Sequence, residues 1–395
     1  MRYEIEMIDV KAADAFLIHY VEDNGESHII MVDSGNYEDA EKILTHIRTH
    51  YDKVKRPGWL GYVIDAAIVT HPDDDHIGGF VHMLEDLQAG NLYDICFNCF
   101  WVNDPTKHEF VPNDVQRIQT QKTLDVRLKC VYNYKEDSRK NLLDLIDSVG
   151  IGRTEVFAGN YLAKPKITII SPTKDYYESL LPKFRNRVNF HWALEAFEEN
   201  MYSTEGGAPD ETTLSKTLDD ATDDASAHNQ SSIVFLLETD EGQKFLFTGD
   251  AGRDAFNHVP QDLLSKFNGV TWMKVPHHGS KHNLDSTIIK HVNPKIAYIS
   301  TEKQGKYLNR STVFALKKNG TKVYSTSQNR STIRYGTIKE REGWTKLIRC
   351  RTTVYSCHSR FTIQRVTFSK VFFHGSRSVI LISPQNVLFI KVSQI

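Results

Sequence analysis

Two histidines and two aspartates that could hold metal ions stand close together in the run Thr70-His-Pro-Asp-Asp-Asp-His-Ile-Gly-Gly79. A divalent cation that activates water needs imidazole and carboxylate ligands, with positions left open for water and substrate. On an extended loop, His71 and Asp73 would point the same way, while the adjacent Asp75 and His76 would face a second ion. The run therefore predicts half of a two-metal hydrolytic site.

Further metal-type residues follow two later segments that have the pattern of strands. Asp250 ends one of these segments, and the other leads into the adjacent pair His277 and His278. The two carboxylate oxygens of Asp250 can bridge two ions, and either histidine of the pair can complete the shell of the second ion. Taken alone, the first run could be a solvated acidic turn and the pair a surface feature. Their recurrence at successive strand ends, beside glycines, favours one metal site.

The segments that must position these residues alternate between strand-like and helical patterns. A buried strand at 64–70 delivers the chain into the first histidine run, and an amphipathic helix at 77–87 follows it. Helices are also predicted at 37–50, at about 137–149 and from 174. The other predicted strands lie at 2–10, 15–21, 27–33, 167–170, 232–238, 244–250, 270–275, 295–300 and 322–325. This order predicts an α/β protein with an antiparallel beginning.

Composition and charge narrow the class of protein. The chain has 395 residues, of which 40% are hydrophobic and 25% charged, and its net charge is −2. These values predict a globular protein and give no sign of non-specific nucleic-acid binding through overall charge. The acidic N-terminus and the lack of any run near roughly 18 apolar residues predict a soluble, cytoplasmic protein without a membrane span.

The five cysteines are an odd number, which favours a reducing compartment over a disulfide framework. Cys96 and Cys99 have C-x-x-C spacing, but no second such pair follows. We therefore interpret them as small apolar residues on a buried strand rather than as a zinc or redox pair.

Two segments fall outside the regular pattern. Residues 203–227 are rich in Ser, Thr, Gly and Asp, which predicts a flexible acidic loop because such a composition buries little apolar surface. After Arg349 the chain becomes rich in Val, Phe, Ile, Ser and Thr. We therefore predict one main domain at 1–345 and a β-prone C-terminal tail of unknown role at 346–395.

Several motifs together resemble the metallo-β-lactamase-fold superfamily, and within it the soluble hydrolase domain of ComEC-type competence DNA-uptake proteins. The resemblance spans residues 7 to about 335. It implies a four-layer αββα sandwich with two mixed β-sheets and a metal site at one sheet edge. The motifs that carry it are Met7–Val10, Asp14–Ile18, Val32–Gly35, His71–Gly79, Ile170–Thr173, Asn229–Ile233, Phe245–Ala251 and Lys274–Ser280.

The resemblance also implies a set of metal ligands for two divalent ions, zinc or manganese. Asp75 is the implied residue that orients the attacking water, and Asp33 is expected to support a ligand histidine. Asp73 replaces the family's usual second histidine, and its harder oxygen shifts the expected preference towards manganese. The implied ligands are His71, Asp73 and His228 for the first ion, Asp75, His76 and His277 or His278 for the second, and Asp250 as the bridge.

The expected reaction is hydrolysis of a phosphodiester, in nucleic acid or a nucleotide-like small molecule, by a metal-activated hydroxide. Asn309 stands where ComEC-type relatives often carry a histidine, and an amide cannot act as a general acid near neutral pH. Other candidates for leaving-group protonation or oxyanion contact are the non-ligating member of His277 and His278, Ser280, Lys281 and His282.

Three alternatives remain open from the sequence. One is hydrolysis of a carboxylic ester, lactone, thioester or β-lactam. Another is a non-catalytic or degenerate metal-binding effector module, for example in a bacterial defence system. Association with a second copy of the chain or with another protein is also compatible with the sequence.

Overall fold

The computed structural model describes residues 2–108, 125–184, 211–301, 309–329, 331–339 and 349, and the backbone of 370–373, 378–383 and 386–391. The chain divides into two compact units, Met1–Thr352 and Thr353–Ile395. The domain boundary predicted from the sequence, after residue 345, lies seven residues earlier.

Strands and helices of the first unit alternate along the chain. The strands are β1 (Arg2–Met7), β2 (Ala15–Val21), β3 (Ser27–Ser34), β4 (Val54–Arg56), β5 (Trp59–Ile64), β6 (Ala66–Ile68), β7 (Ile95–Phe97), β8 (Cys99–Trp101), β9 (Gly152–Thr154), β10 (Tyr161–Ala163), β11 (Lys166–Ser171), β12 (Val234–Glu238), β13 (Lys244–Phe247), β14 (Trp272–Lys274), β15 (Ile296–Ile299), β16 (Lys322–Ser325) and β17 (Ile333–Gly336). The α-helices are α1 (Ala40–His50), α2 (Asp74–Ala89), α3 (Leu142–Ser148), α4 (Lys174–Leu180), α5 (Glu211–Asp219), α6 (Ala227–Gln230), α7 (Arg253–Asn257), α8 (Gln261–Leu264), α9 (Ser286–Val292), α10 (Arg310–Lys318) and α11 (Thr326–Asn329).

Two seven-stranded mixed sheets organise this unit. Their strand orders are β17-β1-β2-β3-β6-β8-β9 and β10-β11-β12-β13-β14-β15-β16, and a smaller sheet has the order β4-β5-β7. Strands β3, β6, β8 and β9 run parallel, as do β13, β14, β15 and β16. Because parallel strands end at the same edge of a sheet, the residues that follow them are gathered there. The predicted α/β sandwich with two mixed sheets is confirmed.

Aromatic side chains fill the space between the two large sheets. Phe16 on β2 contacts Phe247 on β13 and Trp272 on β14, with ring centroids 5.8 and 6.2 Å apart. These rings alternate along their strands with residues that face the helices, so each sheet is covered on both sides. This double burial fixes the strand ends in place.

Helix α2 lies unusually close to the end of β3 because of its two glycines. A Cβ atom at Gly79 would come within 2.1 Å of the Ser34 carbonyl oxygen, and one at Gly78 within 2.4 Å of the Tyr37 amide nitrogen. Any larger residue would push the helix away from the strand. The pair therefore sets the position of the helix's first turn.

The acidic segment is more ordered than the sequence predicted. Residues 211–219 form α5, and Asp224 is buried, so the prediction of a flexible loop at 203–227 is wrong for this part. The reason is tertiary: the buried Arg253 guanidinium donates hydrogen bonds to backbone carbonyls of the segment. Residues 203–210 lie outside the described residues.

The helix predicted at 137–149 is also interrupted. A 3-10 turn, Ser138–Lys140, precedes α3, which begins after Asn141. The Asn141 side chain accepts hydrogen bonds from the Leu143 and Asp144 amides, so it caps a new helix.

The second unit contains one three-stranded antiparallel sheet, with strands β18 (Lys370–Phe373), β19 (Ser378–Ser383) and β20 (Asn386–Lys391). Across the described residues, none of the helices has both the length and the apolar character that crossing a membrane requires. Cys96, Cys99 and Cys130 are free thiols, and the other two cysteines lie outside the described residues.

Candidate metal centre

The first histidine run lies at the junction between β6 and α2. His71 follows the strand, and Asp73 stands at the N-cap position of the helix with extended backbone angles. Asp75 and His76 lie in the first helical turn, and not on the extended loop that the sequence predicted. Acidic residues are favoured in that turn because they face the positive end of the helix dipole.

Hydrogen bonds at Nδ1 orient the imidazole rings of His71 and His76. Nδ1 of His76 lies 2.8 Å from Asp33 Oδ2. Nδ1 of His71 lies 3.1 Å from the Thr70 hydroxyl, which itself donates to Asp33 Oδ2 at 2.7 Å. Both rings therefore carry their proton on Nδ1 and turn Nε2 the other way. Asp33, expected from the sequence to support a ligand histidine, occupies the position for that task.

Several buried imidazole nitrogens at this centre have no hydrogen-bond partner in the described part of the chain. A buried polar atom without a hydrogen-bond partner is costly, and a bound cation would remove that cost. Among the described residues, the buried nitrogens without a hydrogen-bond partner include Nε2 of His71, His76 and His228.

Among the described residues, three groups of three possible donors share His76. The group with Asp14 and Asp33 faces the Nδ1 atom of His76, and the other two face its Nε2 atom. His71 and His76 lie with Asp250, and Asp75 and His76 lie with His278, with all donor atoms of a group within 4.8 Å of one another. Nε2 of His278 is 3.3 Å from Asp75 Oδ2, and Nε2 of His76 is 3.5 Å from Asp250 Oδ2. Imidazole nitrogen with carboxylate oxygen is a donor set suited to zinc or manganese. The residues present therefore fit a divalent metal ion.

Asp250 presents one oxygen to this centre. Its Oδ1 accepts hydrogen bonds from Lys274 Nζ at 3.0 Å and from the His277 amide at 3.2 Å. Its Oδ2 faces the imidazoles of His76, His277 and His278. The buried ammonium thus engages one of the two oxygens, and a bridge through both of them stays a prediction.

Lys274 is a buried cation that sequence reasoning missed. Its ammonium contacts Asp14 as well as Asp250, and both carboxylates are buried. Burial lowers the pKa of Lys274, but the charges of Asp14 and Asp250 outweigh it and raise the pKa above its usual range. The sequence indicates this contact only in that Asp14 and Lys274 each begin one of the motifs that carry the family resemblance.

His228 lies beside Asp73. Its Nδ1 is 3.0 Å from Asp73 Oδ1, and His71 Nε2 is 3.7 Å from Asp73 Oδ2. Burial raises the pKa of Asp73, but the nearby imidazoles of His228 and His71 outweigh this effect and hold the pKa well below its usual range. The three residues implied for the first ion therefore lie together. His228 contacts Asp73 through Nδ1, and its Nε2 has no hydrogen-bond partner among the residues that the structure describes.

The paired histidines sit in a left-handed turn. His277, His278 and Gly279 have φ values of 45°, 51° and 88°. Two consecutive non-glycine residues in this region cost about 1–3 kcal/mol each. Such a turn is held only by surrounding contacts, and it separates the two rings, whose centroids lie 6.0 Å apart.

Four other predicted site residues have different contacts. Ser280 is buried, and its hydroxyl accepts a hydrogen bond from the His282 amide, while His282 Nδ1 donates to the Thr222 carbonyl at 2.7 Å. The Asn309 side chain accepts from the Ser311 amide and caps α10. Lys281 is partly exposed, and its carbonyl accepts from Arg253.

Replacing Asp33 with asparagine is expected to weaken metal binding by about 10-fold to 100-fold. The amide nitrogen would meet two donors, the His76 Nδ1 proton and the Thr70 hydroxyl, so the imidazole would lose its orientation. Competition with a chromogenic chelator measures the affinity. Asp65→Asn is the matched control, because Asp65 accepts from the Ile29 amide outside the centre. Equal metal affinity of Asp33→Asn and the unchanged protein would contradict the prediction.

Comparisons with known proteins agree with the resemblance predicted from the sequence. No family model matches the chain. ComE operon protein 3 of Bacillus subtilis is 31% identical over 116 residues, which cover 28% of this chain and 14% of that protein. Hydroxyacylglutathione hydrolase of Aliivibrio fischeri is 30% identical over 88 residues, covering 22% of this chain and 30% of that protein.

A solved structure, the metallo-β-lactamase fold protein YhfI from Bacillus subtilis, aligns with a TM-score of 0.39 and 11% identity, covering 84% of this chain and 99% of that chain. The matches to the two curated relatives span less than a third of the length of either. The resemblance predicted from the sequence is confirmed at low identity over the 116 residues that match ComE operon protein 3.

Proposed function

We propose that this protein is a hydrolase that requires two divalent metal ions and acts on a phosphodiester, in nucleic acid or a nucleotide-like small molecule. The observation that carries the proposal is the group of His71, His76 and Asp250, whose donor atoms lie within 4.8 Å of one another and whose two imidazoles have buried Nε2 atoms without a hydrogen-bond partner among the described residues. When bound, the ions would lower the pKa of water and stabilise negative charge on the substrate.

Each group of the centre has a proposed task. His71 and Asp73 would hold the first ion, with His228 beside them, and His76 and His278 the second, with Asp250 Oδ2 between the ions. The Asp75 side chain is one third exposed and lies 3.3 Å from His278 Nε2, so it would be open to incoming water beside the second ion. We assign it the orientation of the attacking water, through a carboxylate that accepts the water's hydrogen bond.

An anionic substrate suits this centre. Two adjacent cations can clamp both the attacking and the leaving oxygen of an in-line displacement at phosphorus. The carboxylates of Asp73, Asp75 and Asp250 make the donor set rich in oxygen, which favours manganese alongside zinc. These are the physical reasons for the choice of a phosphodiester.

A thioester is the second candidate substrate. It is favoured by the similarity to a protein named hydroxyacylglutathione hydrolase. The same centre could polarise a thioester carbonyl, because a metal Lewis acid acts on carbonyl and phosphoryl oxygens alike.

The test is to measure bound metal and then turnover of bis(p-nitrophenyl) phosphate and of a hydroxyacylglutathione, each with zinc or manganese. Asp75→Ala is expected to lower phosphodiester turnover by about 100-fold or more. Asp74→Ala is the matched control, because Asp74 lies in the same helical turn and accepts instead from the Lys135 amide. Turnover of the thioester alone would replace the phosphodiester by the second candidate. Two bound ions without turnover of either would indicate a metal-binding module.

A further inference from the structure

We propose that Asp224 positions the imidazole of His277 for contact with the substrate, whereas the neighbouring His278 serves the metal centre. This inference rests on the proposed hydrolase function and adds a positioning residue and a substrate contact to it. Asp224 belongs to the acidic segment 203–227, which the sequence alone predicts to be a flexible loop.

The two adjacent histidines have different surroundings. His278 is nearly fully buried, with 2% of its side chain exposed. Its Nδ1 lies 3.1 Å from the Ser300 carbonyl, and its Nε2 lies 3.3 Å from Asp75 Oδ2. His277 is 13% exposed, and its Nε2 lies 4.0 Å from Asp250 Oδ2. His277 is therefore at the accessible side of the centre, where a substrate can reach it.

Asp224 fixes the ring of His277 from the side opposite the centre. Its Oδ2 lies 3.1 Å from His277 Nδ1. A carboxylate at this nitrogen sets the tautomer and the plane of an imidazole, so Nε2 is directed towards Asp250. The backbone amide of His277 also donates to Asp250 Oδ1 at 3.2 Å. The residue is thus held at its backbone by the centre and at its ring by Asp224.

The Asp224 carboxylate is itself held rigidly. Oδ2 accepts from the side-chain amides of Asn229 at 2.8 Å and Asn283 at 3.0 Å, and Oδ1 accepts from the Ser226 amide at 2.9 Å. The backbone amide of Asp224 donates to the His282 carbonyl at 3.2 Å. These contacts hold the buried carboxylate of Asp224 in one orientation. The carboxylate in turn holds the His277 ring in one orientation.

Arg253 joins the acidic segment to the loop that follows the histidine pair. The buried guanidinium donates to four backbone carbonyls that come from both pieces of chain. They are Leu218 at 2.7 Å, Ala221 at 3.0 Å, Lys281 at 3.0 Å and Leu284 at 3.2 Å. This explains how Asp224 reaches a histidine 53 positions later in the chain.

The test compares Asp224→Asn, His277→Gln and the double variant. We expect each single variant to keep two bound ions and to lose about 10-fold to 100-fold in kcat/KM. The double variant should be no worse than His277→Gln alone, because Asp224 acts through His277. Asp223→Asn is the matched control, since the adjacent Asp223 is half exposed and faces Arg253 instead.

A spectroscopic measurement separates this inference from the proposed function. In zinc-loaded protein with ¹⁵N-labelled histidine, Asp224→Asn should move the side-chain signals of His277, and Asp223→Asn should leave them in place. The expected change in the His277 signals does not depend on which ester is cleaved. Absence of phosphodiester turnover would therefore contradict the proposed function, while the contact between Asp224 and His277 could still be tested.

Three results would overturn the inference. They are loss of a bound ion in His277→Gln, additive effects in the double variant, and unmoved His277 signals in Asp224→Asn. If Asp224→Asn does not fold, Asn229→Ala replaces it, because this change removes one of the hydrogen bonds that hold the carboxylate.

Discussion

Replacing Lys274 with methionine is expected to lower the free energy of unfolding of the metal-free protein by about 3–5 kcal/mol. The side chains have similar length, so the change removes the charge and leaves the packing nearly intact. Asp14 and Asp250 would then remain buried without their cation, and an uncompensated buried charge is strongly destabilising. Urea denaturation in the presence of a chelator measures the loss.

The same measurement with saturating zinc or manganese should show a smaller loss. Bound ions would face Asp250 Oδ2 and compensate one of the two carboxylates. Lys290→Met is the control, because Lys290 is exposed on α9 and surface substitutions change stability by only about 0.5 kcal/mol. Unchanged stability of metal-free Lys274→Met would contradict the conclusion that Lys274 compensates the buried charges of Asp14 and Asp250.

Replacing Asp250 with asparagine is expected to lower turnover by about 100-fold to 1,000-fold and to reduce the bound metal below two ions. Oδ2 of Asp250 faces His76, His277 and His278, so it is the oxygen best placed to contact both ions. Asparagine has one oxygen and no charge. If that oxygen stays with Lys274, the amide nitrogen faces the imidazoles and repels a cation.

The two measurements for Asp250→Asn are metal content by elemental analysis and turnover of bis(p-nitrophenyl) phosphate. The control is Asp262→Asn, an exposed aspartate at the start of α8. Retention of two ions at unchanged affinity would exclude Asp250 as the shared ligand and would also weaken the role assigned to Lys274.

The sequence by itself determined the local features of this protein. The histidine run, Asp250 and the histidine pair were placed at strand ends because apolar strands and the glycines beside them are readable over a few residues. The two-sheet sandwich followed from the resemblance of several short motifs. Helix α2 was predicted at 77–87, and its true start at Asp74 was missed because a cap and its first turn depend on neighbouring contacts.

Only the tertiary structure decided how these residues act together. It separated His278 from His277, turned one oxygen of Asp250 towards Lys274, and brought Asp224 to His277. The partners in these contacts are far apart in the chain or lie on opposite sides of one turn, so no local periodicity specifies them. A Ser- and Asp-rich segment predicts flexibility from its own composition. The buried Arg253, which lies on another helix, supplies the hydrogen bonds that hold part of it in one place.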